Sequence, residues 1–196
     1  MPGTPLQEIG LSPVLKDWIQ ILAWAAAIVT GTVAAAKTIR ELRESRLLRR
    51  DELRWRKAQL AREILKEIRA STLVQHACLM LDWTGREYEI TPGHFEAITW
   101  DDMDKALRTN NLTFTDKEVH IRDSFDALFD GLEQLEHHLR TNLIALEDIR
   151  LPLEYYIAKI AGRKTTMEDF WSAYGYDLAG PFVQRFADNA PQQRRP

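Results

Sequence analysis

The chain has 196 residues, of which 45% are hydrophobic and 28% are charged, and its formal net charge is -3. These values are typical of a globular protein with one domain and an appendage, and they exclude disordered and collagen-like chains. The single cysteine, Cys78, excludes an intramolecular disulfide and favours a reducing compartment.

Charge is distributed unevenly along the chain. Residues 37–57, called here the basic collar, contain nine Lys or Arg and four Asp or Glu, whereas residues 58–196 contain 16 basic and 23 acidic side chains. A nucleic-acid-binding protein would carry its basic patch on the folded domain. The sequence therefore predicts no nucleic-acid partner.

An apolar segment follows an irregular tail at residues 1–13, and we predict that it forms a transmembrane helix at 14–36. The 19 residues from Trp18 to Ala36 include no charged side chain. As a helix they would extend about 28 Å, close to the thickness of a bilayer's hydrocarbon core. The lack of a polar face disfavours a helix lying in the membrane surface. A cleaved signal peptide and a buried helix of a soluble protein remain the alternatives.

The flanking charges predict the orientation of this segment. Lys37, Arg40, Arg43 and Arg46 follow it closely, whereas only Lys16 and the amino terminus precede it. The positive-inside rule then places the C-terminal domain in the cytoplasm, attached to the inner membrane.

Small residues recur at every fourth position of the same segment, at Ala23, Ala27, Gly31 and Ala35. This spacing lines one side of a helix and allows a second helix to approach closely. We call these four positions the small-residue face, and they predict a homo-oligomer. The alternative is that an alanine-rich helix produces such a series by chance.

The helix is expected to continue to about Ala70, because no Pro or Gly occurs from Val33 to that point. Residues 37–57 would form a basic helical stalk. Residues 58–188 would form a helical cytoplasmic domain. The long helix would pack onto this domain through an apolar stripe that includes Leu60 and Ile64. Residues 189–196 read as a flexible tail. The predicted fold class is all-α, with a transmembrane helix, a long stalk helix and a helical bundle.

Within this domain, a helix is predicted from Thr72 to Trp83, then a loop at 84–98 with a short extended piece. Thr99 and Thr115 are predicted N-caps. The clearest periodicity spans Ile121, Phe125, Leu128, Leu132, Leu135 and Leu139, whose spacing indicates a helix packed on another at a shallow angle. Gly131 lies inside this stripe, where a close neighbour is expected.

The C-terminal part is predicted to contain three more helices. The first runs from Asp148 to Ile160, the second is capped by Thr166, and the last starts at Pro181. Aromatic residues are frequent here, and Tyr174 and Tyr176 are candidate docking aromatics, since such side chains dominate binding hot spots. The alternative is that they close the core of a small domain.

The sequence motifs predict no catalytic residue, no cofactor and no metal site. The five histidines lack metal-ligand spacing, and no second cysteine completes a zinc site. The group Asp101, Asp102 and Asp104 lacks the glycine and distal glutamate of a calcium loop. The segment Gly162–Thr166 lacks the first glycine of a phosphate loop.

Three segments carry a resemblance: Ala61–Leu65, Leu79–Trp83 and Ile121–Asp126. Together they resemble an uncharacterised family of small bacterial single-pass membrane proteins with a helical cytoplasmic domain. The resemblance covers about residues 15–188. It implies a bacterial origin and single-pass topology, and it brings no catalytic residue. Some similar proteins lie among phage-defence genes.

The sequence thus favours a membrane-anchored helical interaction or scaffold protein without catalytic activity, which self-associates and binds the lipid bilayer and a protein partner. One alternative is a membrane-perturbing or pore-forming phage-defence effector. Another is an enzyme with an unrecognised site.

Overall fold

The computed structural model describes residues 13–188, without the side chains of residues 13–17, 19, 23, 26–29, 33–35 and 164. The chain divides into two units, Met1–Leu53 and Arg54–Pro196. Its described part is mostly helical and includes one two-stranded sheet. The predicted helical, bundle-like content is therefore confirmed.

The first helix, α1, runs from Pro13 to Ala70. This agrees with the prediction of an unbroken helix to about Ala70. Among the helices of the described residues, none is both long enough and apolar enough to cross a membrane. The predicted transmembrane helix at 14–36 therefore lacks support, and part of its side chains lie outside the description. The predicted tail at 189–196 also lies outside it, as does the predicted tail at 1–13 except for Pro13, which begins α1.

The second helix, α2, runs from Thr72 to Asp82, close to its predicted bounds. Its N-cap is Ser71, whose Oγ accepts a hydrogen bond from the Val74 N–H at 3.4 Å. This bond satisfies one of the backbone donors that a helix start leaves without a partner.

An antiparallel hairpin follows, formed by β1 (Arg86–Thr91) and β2 (His94–Ile98). The structure thus has two paired strands where the sequence predicted a loop with one short extended piece. Only Tyr88 and Ile98 of the two strands are fully buried. With so few inward-facing positions, the two-residue alternation that marks a strand in the sequence is too short to detect.

Two helices begin with reciprocal caps at the predicted threonines. The helix α3 (Trp100–Ala106) starts after Thr99, whose side chain accepts from the backbone of Asp102 while the Asp102 carboxylate accepts from the Thr99 N–H. The helix α4 (Asp116–Arg140) starts in the same way, with Thr115 and Glu118. Both predicted N-caps are confirmed, because a capping box depends only on neighbouring residues.

The central helix is α4, which packs against α2, α3, α7 and β1. Five of the six positions of its predicted stripe are buried, and the sixth, Leu139, is partly buried. The stripe is therefore core, as predicted. Gly131 lies where Ile68 of α1 contacts the helix, which confirms the close approach expected there.

Three helices complete the chain: α5 (Leu146–Gly162), α6 (Lys164–Tyr174) and α7 (Ala179–Asp188). Thr166 does not cap α6, because α6 follows α5 after a single residue and Arg163 occupies the cap position. Pro181 lies in the first turn of α7 rather than at its start. Proline is tolerated there, since first-turn N–H groups have no partner in the helix.

The core of the second unit is apolar and rich in aromatic rings. Its largest fully buried side chains include Phe125, Phe129, Phe170, Phe182 and Met80. The rings of Phe129 and Trp171 meet edge to face, with centroids 5.8 Å apart. Four aromatic residues of the C-terminal part thus close the core around α4: Phe170, Trp171, Phe182 and Phe186.

Candidate functional site

The most conspicuous surface of the first unit is apolar. Trp18, Leu22 and Trp24 of α1 are each between 60% and 66% exposed. Side chains of this size are normally buried, and burying each fully would contribute about 1.5–3 kcal/mol. These side chains are therefore available to an apolar environment that the described chain does not supply.

The small-residue face lies in the same unit, but only one of its four positions can be described in full. The side chains of Ala23, Ala27 and Ala35 lie outside the description. Gly31 is exposed, and a Cβ atom built on it would meet no atom within 4 Å. A larger side chain at Gly31 is therefore compatible with the chain itself.

The basic collar is exposed along its length in the first unit. Lys37 lies 3.9 Å from the Glu41 carboxylate, and Arg40 donates to Glu44 Oε1 at 3.1 Å. Both pairs are solvent-exposed i,i+4 pairs of the kind that stabilise a helix modestly. Arg43 and Arg46 are exposed as well. The collar thus presents cationic groups in excess of its carboxylates.

The two candidate docking aromatics differ in their surroundings. Tyr176 is half-buried, its ring lies 5.5 Å from that of Phe129, and its hydroxyl donates to Asp126 Oδ1 at 2.8 Å. Burial raises the pKa of Asp126 in spite of this hydrogen bond. Tyr174 is 41% exposed and lies over the guanidinium of Arg122. A docking role for either residue stays a prediction.

A buried arginine organises one side of α4. Arg122 is only 8% exposed, and its guanidinium lies 4.2 Å from the ring centre of Phe114, 4.9 Å from Phe170 and 4.6 Å from Tyr174. Its Nη1 donates to the carbonyl oxygens of Ala106 at 2.7 Å and Arg108 at 3.2 Å. Aromatic faces and carbonyl dipoles both stabilise a buried cation. These contacts fix the segment between α3 and α4.

An ion pair with a buried carboxylate and a partly exposed arginine joins α4 to α7. The carboxylate of Glu136, whose side chain is fully buried, accepts from Arg185 Nη2 at 2.7 Å and from Arg140 Nε at 2.9 Å. The hydrogen bond from Arg185 and the charge of Glu136 raise the pKa of Arg185. Because the charge of Glu136 is neutralised on two sides, the pair locks the position of α7 on α4.

The sequence did not single out Arg122 or Glu136, although a signal exists. They lie fourteen residues apart, which is about four helical turns, beside the apolar stripe of α4. A charge at such a position indicates a buried and paired group. Periodicity alone does not tell that group from one at the edge of the stripe.

Two of the five histidines come together in the fold. His76 of α2 and His120 of α4 are hydrogen-bonded, with Nδ1 and Nε2 3.0 Å apart. His137 is exposed, and His94 lies 3.1 Å from Glu96 at the surface. The pairing of His76 with His120 was not visible in the sequence, because 44 residues separate them.

Among the side chains that the structure describes, no three His, Cys, Asp or Glu residues converge as metal ligands. Asp102 caps α3 and pairs with Lys117 at 3.0 Å, while Asp104 accepts from Thr166 at 3.2 Å. The thiol of Cys78 is half-buried, and burial, with the nearby Asp82 charge, raises its pKa to about 11. A thiol with so high a pKa is protonated at neutral pH and is a poor nucleophile.

The chain matches no family model, and neither a curated protein nor a solved structure is significantly similar to it. The resemblance to small bacterial single-pass membrane proteins therefore stays a prediction.

Proposed function

We propose that the protein is a non-catalytic scaffold that self-associates, is anchored in a membrane by residues 14–36, and has its helical domain in the cytoplasm. The observation that carries this proposal is the exposure of Trp18, Leu22 and Trp24 on α1. Three large apolar side chains on one short segment are unfavourable in water. The acyl region of a bilayer would cover them.

Length and charge support the same assignment. The uncharged run from Trp18 to Ala36 matches the thickness of the hydrocarbon core at about 1.5 Å per residue. The exposed cations Lys37, Arg40, Arg43 and Arg46 follow directly. Near an anionic leaflet, each contributes about 1 kcal/mol of attraction. Apolar residues followed by a basic collar suit a helix leaving a bilayer on its cytoplasmic side.

The contacts of the buried charged groups in the helical domain support a scaffold role. The domain's buried charged groups Arg122 and Glu136 contribute to packing. Arg122 contacts a backbone carbonyl and an aromatic ring, and Glu136 pairs with arginines of α4 and α7. Self-association through the small-residue face would raise the local concentration of the domains. Weak contacts with a partner would then become effective.

The test of anchoring uses a matched pair of substitutions in the full chain. Leu22→Arg places a charge inside the proposed membrane segment, where it costs about 2.5–3.5 kcal/mol. Leu42→Arg makes the same change at an exposed collar position. We expect carbonate extraction to release the Leu22→Arg protein and to leave the parent and Leu42→Arg in the membrane. Release of all three proteins would overturn the anchor.

Orientation and mode of action need separate readouts. A reporter that is active only in the periplasm, fused after Pro196, is expected to stay silent, and activity would reverse the topology. Purified protein in liposomes loaded with a fluorescent dye is expected to retain the dye. Leakage would contradict the scaffold role and favour a membrane-perturbing effector.

A further inference from the structure

The His76–His120 contact imposes a constraint on protonation. Its two nitrogens, 3.0 Å apart, are at the ordinary distance of a hydrogen bond. A hydrogen bond needs a proton on one nitrogen and a lone pair on the other. At least one of the two imidazoles must therefore be neutral for the contact to exist.

The contact joins two principal helices and is closed on one side by the hairpin. His76 belongs to α2 and His120 to α4, and both side chains are half-buried. The Tyr88 ring of β1 meets His76 edge to face at 5.2 Å and lies 6.4 Å from His120. Tyr88 is 3% exposed. Water therefore reaches this side of the pair poorly, and a charge there is weakly solvated.

Charged groups on the surrounding elements act on the pair in opposite directions. Burial, followed by the Arg86 charge on β1, lowers the pKa of His76. Burial, followed by His76 itself, lowers the pKa of His120, and Asp123 of α4 opposes this shift. Asp82 at the end of α2 acts on the Tyr88 hydroxyl instead.

The other charged groups of this region are engaged elsewhere. Lys117, one turn before His120, pairs with Asp102 of α3 at 3.0 Å and lies 4.0 Å from Glu96 of β2. Glu118 pairs with Arg108. Protonation of the histidine pair is therefore governed by burial, by the repulsion between the two imidazoles, and by the charges of Arg86 and Asp123.

We propose that His76 and His120 form an acid-sensitive latch between α2 and α4. The latch holds while one imidazole is neutral. When both are protonated, the hydrogen bond is lost and two cations face each other in a poorly solvated site, so α2 separates from α4. The inference is independent of the proposed membrane anchor.

The direction of the pH dependence follows from linkage. Both histidines bind protons less readily in the folded protein than in the unfolded chain, where the pKa is about 6.5. Their contribution to stability is therefore complete above about pH 6.5 and is lost as the pH falls through their lower folded values. Because the two sites interact, the pair titrates in two shared steps.

The test compares the full-length chain in detergent micelles with two histidine variants. As the pH falls below about 6.5, each histidine of the latch is expected to raise the unfolding constant by up to about tenfold per pH unit until it is protonated in the folded protein. Hydrogen exchange of α2 and α4 amides, corrected for intrinsic rates, measures this slope. His120→Gln keeps a hydrogen-bonding partner for His76 and removes one titrating group, so the slope should fall by about half.

The matched control is His137→Gln, which changes an exposed histidine on the same helix. Its slope should equal that of the parent. Equal slopes for the parent and His120→Gln would overturn the latch. Imidazole NMR titration of the unmutated chain is a second readout that does not depend on how a variant folds. Titration of both His76 and His120 near pH 6.5, the ordinary value for a histidine in an unfolded chain, would also overturn it.

Discussion

The side chain of Ile68 occupies the space in which a side chain at Gly131 would have to begin. A Cβ atom built on Gly131 would lie 2.9 Å from Ile68 Cγ2, closer than such atoms approach in proteins. The Ile68 side chain is β-branched and cannot easily turn away within a helix. The absence of a Cβ on α4 therefore determines how closely the end of α1 approaches it.

Gly131→Ala is expected to destabilise the protein. Overpacking costs about 1–3 kcal/mol, and this exceeds the gain of up to about 1 kcal/mol from replacing a helical glycine. Urea unfolding of the full chain in micelles, followed by near-ultraviolet circular dichroism, measures the change. Gly162→Ala, where a Cβ atom meets nothing within 4 Å, should be neutral or stabilising.

A double-mutant cycle identifies the cause. Ile68→Ala removes the atoms that would clash, so the two substitutions together should cost at least about 0.5 kcal/mol less than their separate costs combined. Additive costs would show that the approach of Ile68 is not what requires a glycine at position 131.

Leu132→Asp is expected to abolish the cooperative unfolding transition of the helical domain. Leu132 is 2% exposed on α4, and an unpaired carboxylate there would cost several kcal/mol, comparable with a domain's whole stability. Leu151→Asp is the matched control, since Leu151 of α5 is 86% exposed and its change should stay within about 0.5 kcal/mol. Near-ultraviolet circular dichroism distinguishes the two. A native-like spectrum for Leu132→Asp would contradict the assignment of the α4 stripe to the core.

Arg122→Lys is expected to cost about 2–4 kcal/mol although it preserves the charge. A lysine cannot stack a planar group on Phe114 and Tyr174 while donating to two carbonyls. Arg163→Lys is the control, because Arg163 also lies over an aromatic ring, that of Trp100, but is only partly buried and lies 3.6 Å from the exposed carboxylate of Asp104. Its cost should stay below about 1 kcal/mol. If chemical denaturation shows the same loss of unfolding free energy for both variants, the contacts of Arg122 with the aromatic rings and carbonyls do not have the role assigned to them.

Gly31→Leu is expected to reduce crosslinking of the full chain in membranes. A Cβ atom at Gly31 meets nothing within 4 Å beyond its own helix, so we expect the effect of the leucine to report on a second molecule. Ala25→Leu adds a similar side chain about 120° around the helix from Gly31, away from the small-residue face, and should leave crosslinking unchanged. If both variants crosslink like the parent, the small-residue face is a product of composition. Assembly that survives deletion of residues 14–36 would reside in the helical domain instead.

The features that could be predicted from the sequence depend on neighbouring residues. Thr99 and Thr115 cap their helices through partners three positions away, and the stripe of α4 repeats over several turns. The pairing of the hairpin was not predicted beyond one short extended piece, because only Tyr88 and Ile98 mark its buried face. Capping and periodicity rules predict a contact when the two residues are near in sequence. They do not predict which residues become buried when distant elements pack together.

The candidate site illustrates the same limit. The exposed residues Trp18 and Trp24 follow from the apolar segment that the sequence identifies. The contact of His76 with His120, and that of Arg122 with Ala106, join residues that are distant in sequence or approach only after helices pack. No spacing rule connects them. Contacts of this kind can be predicted only once the fold is known.

The tip of the β1–β2 hairpin offers a place to attach a label. Residues 91–94 are all exposed, and Gly93 has a φ of +78°, which other residues rarely adopt. A short epitope or a small fluorescent tag placed between Pro92 and Gly93 would retain this glycine and leave Tyr88 and Ile98 in the core. Exposed tight turns tolerate such insertions best. The position of the helical domain in cells could then be followed with both chain ends unmodified.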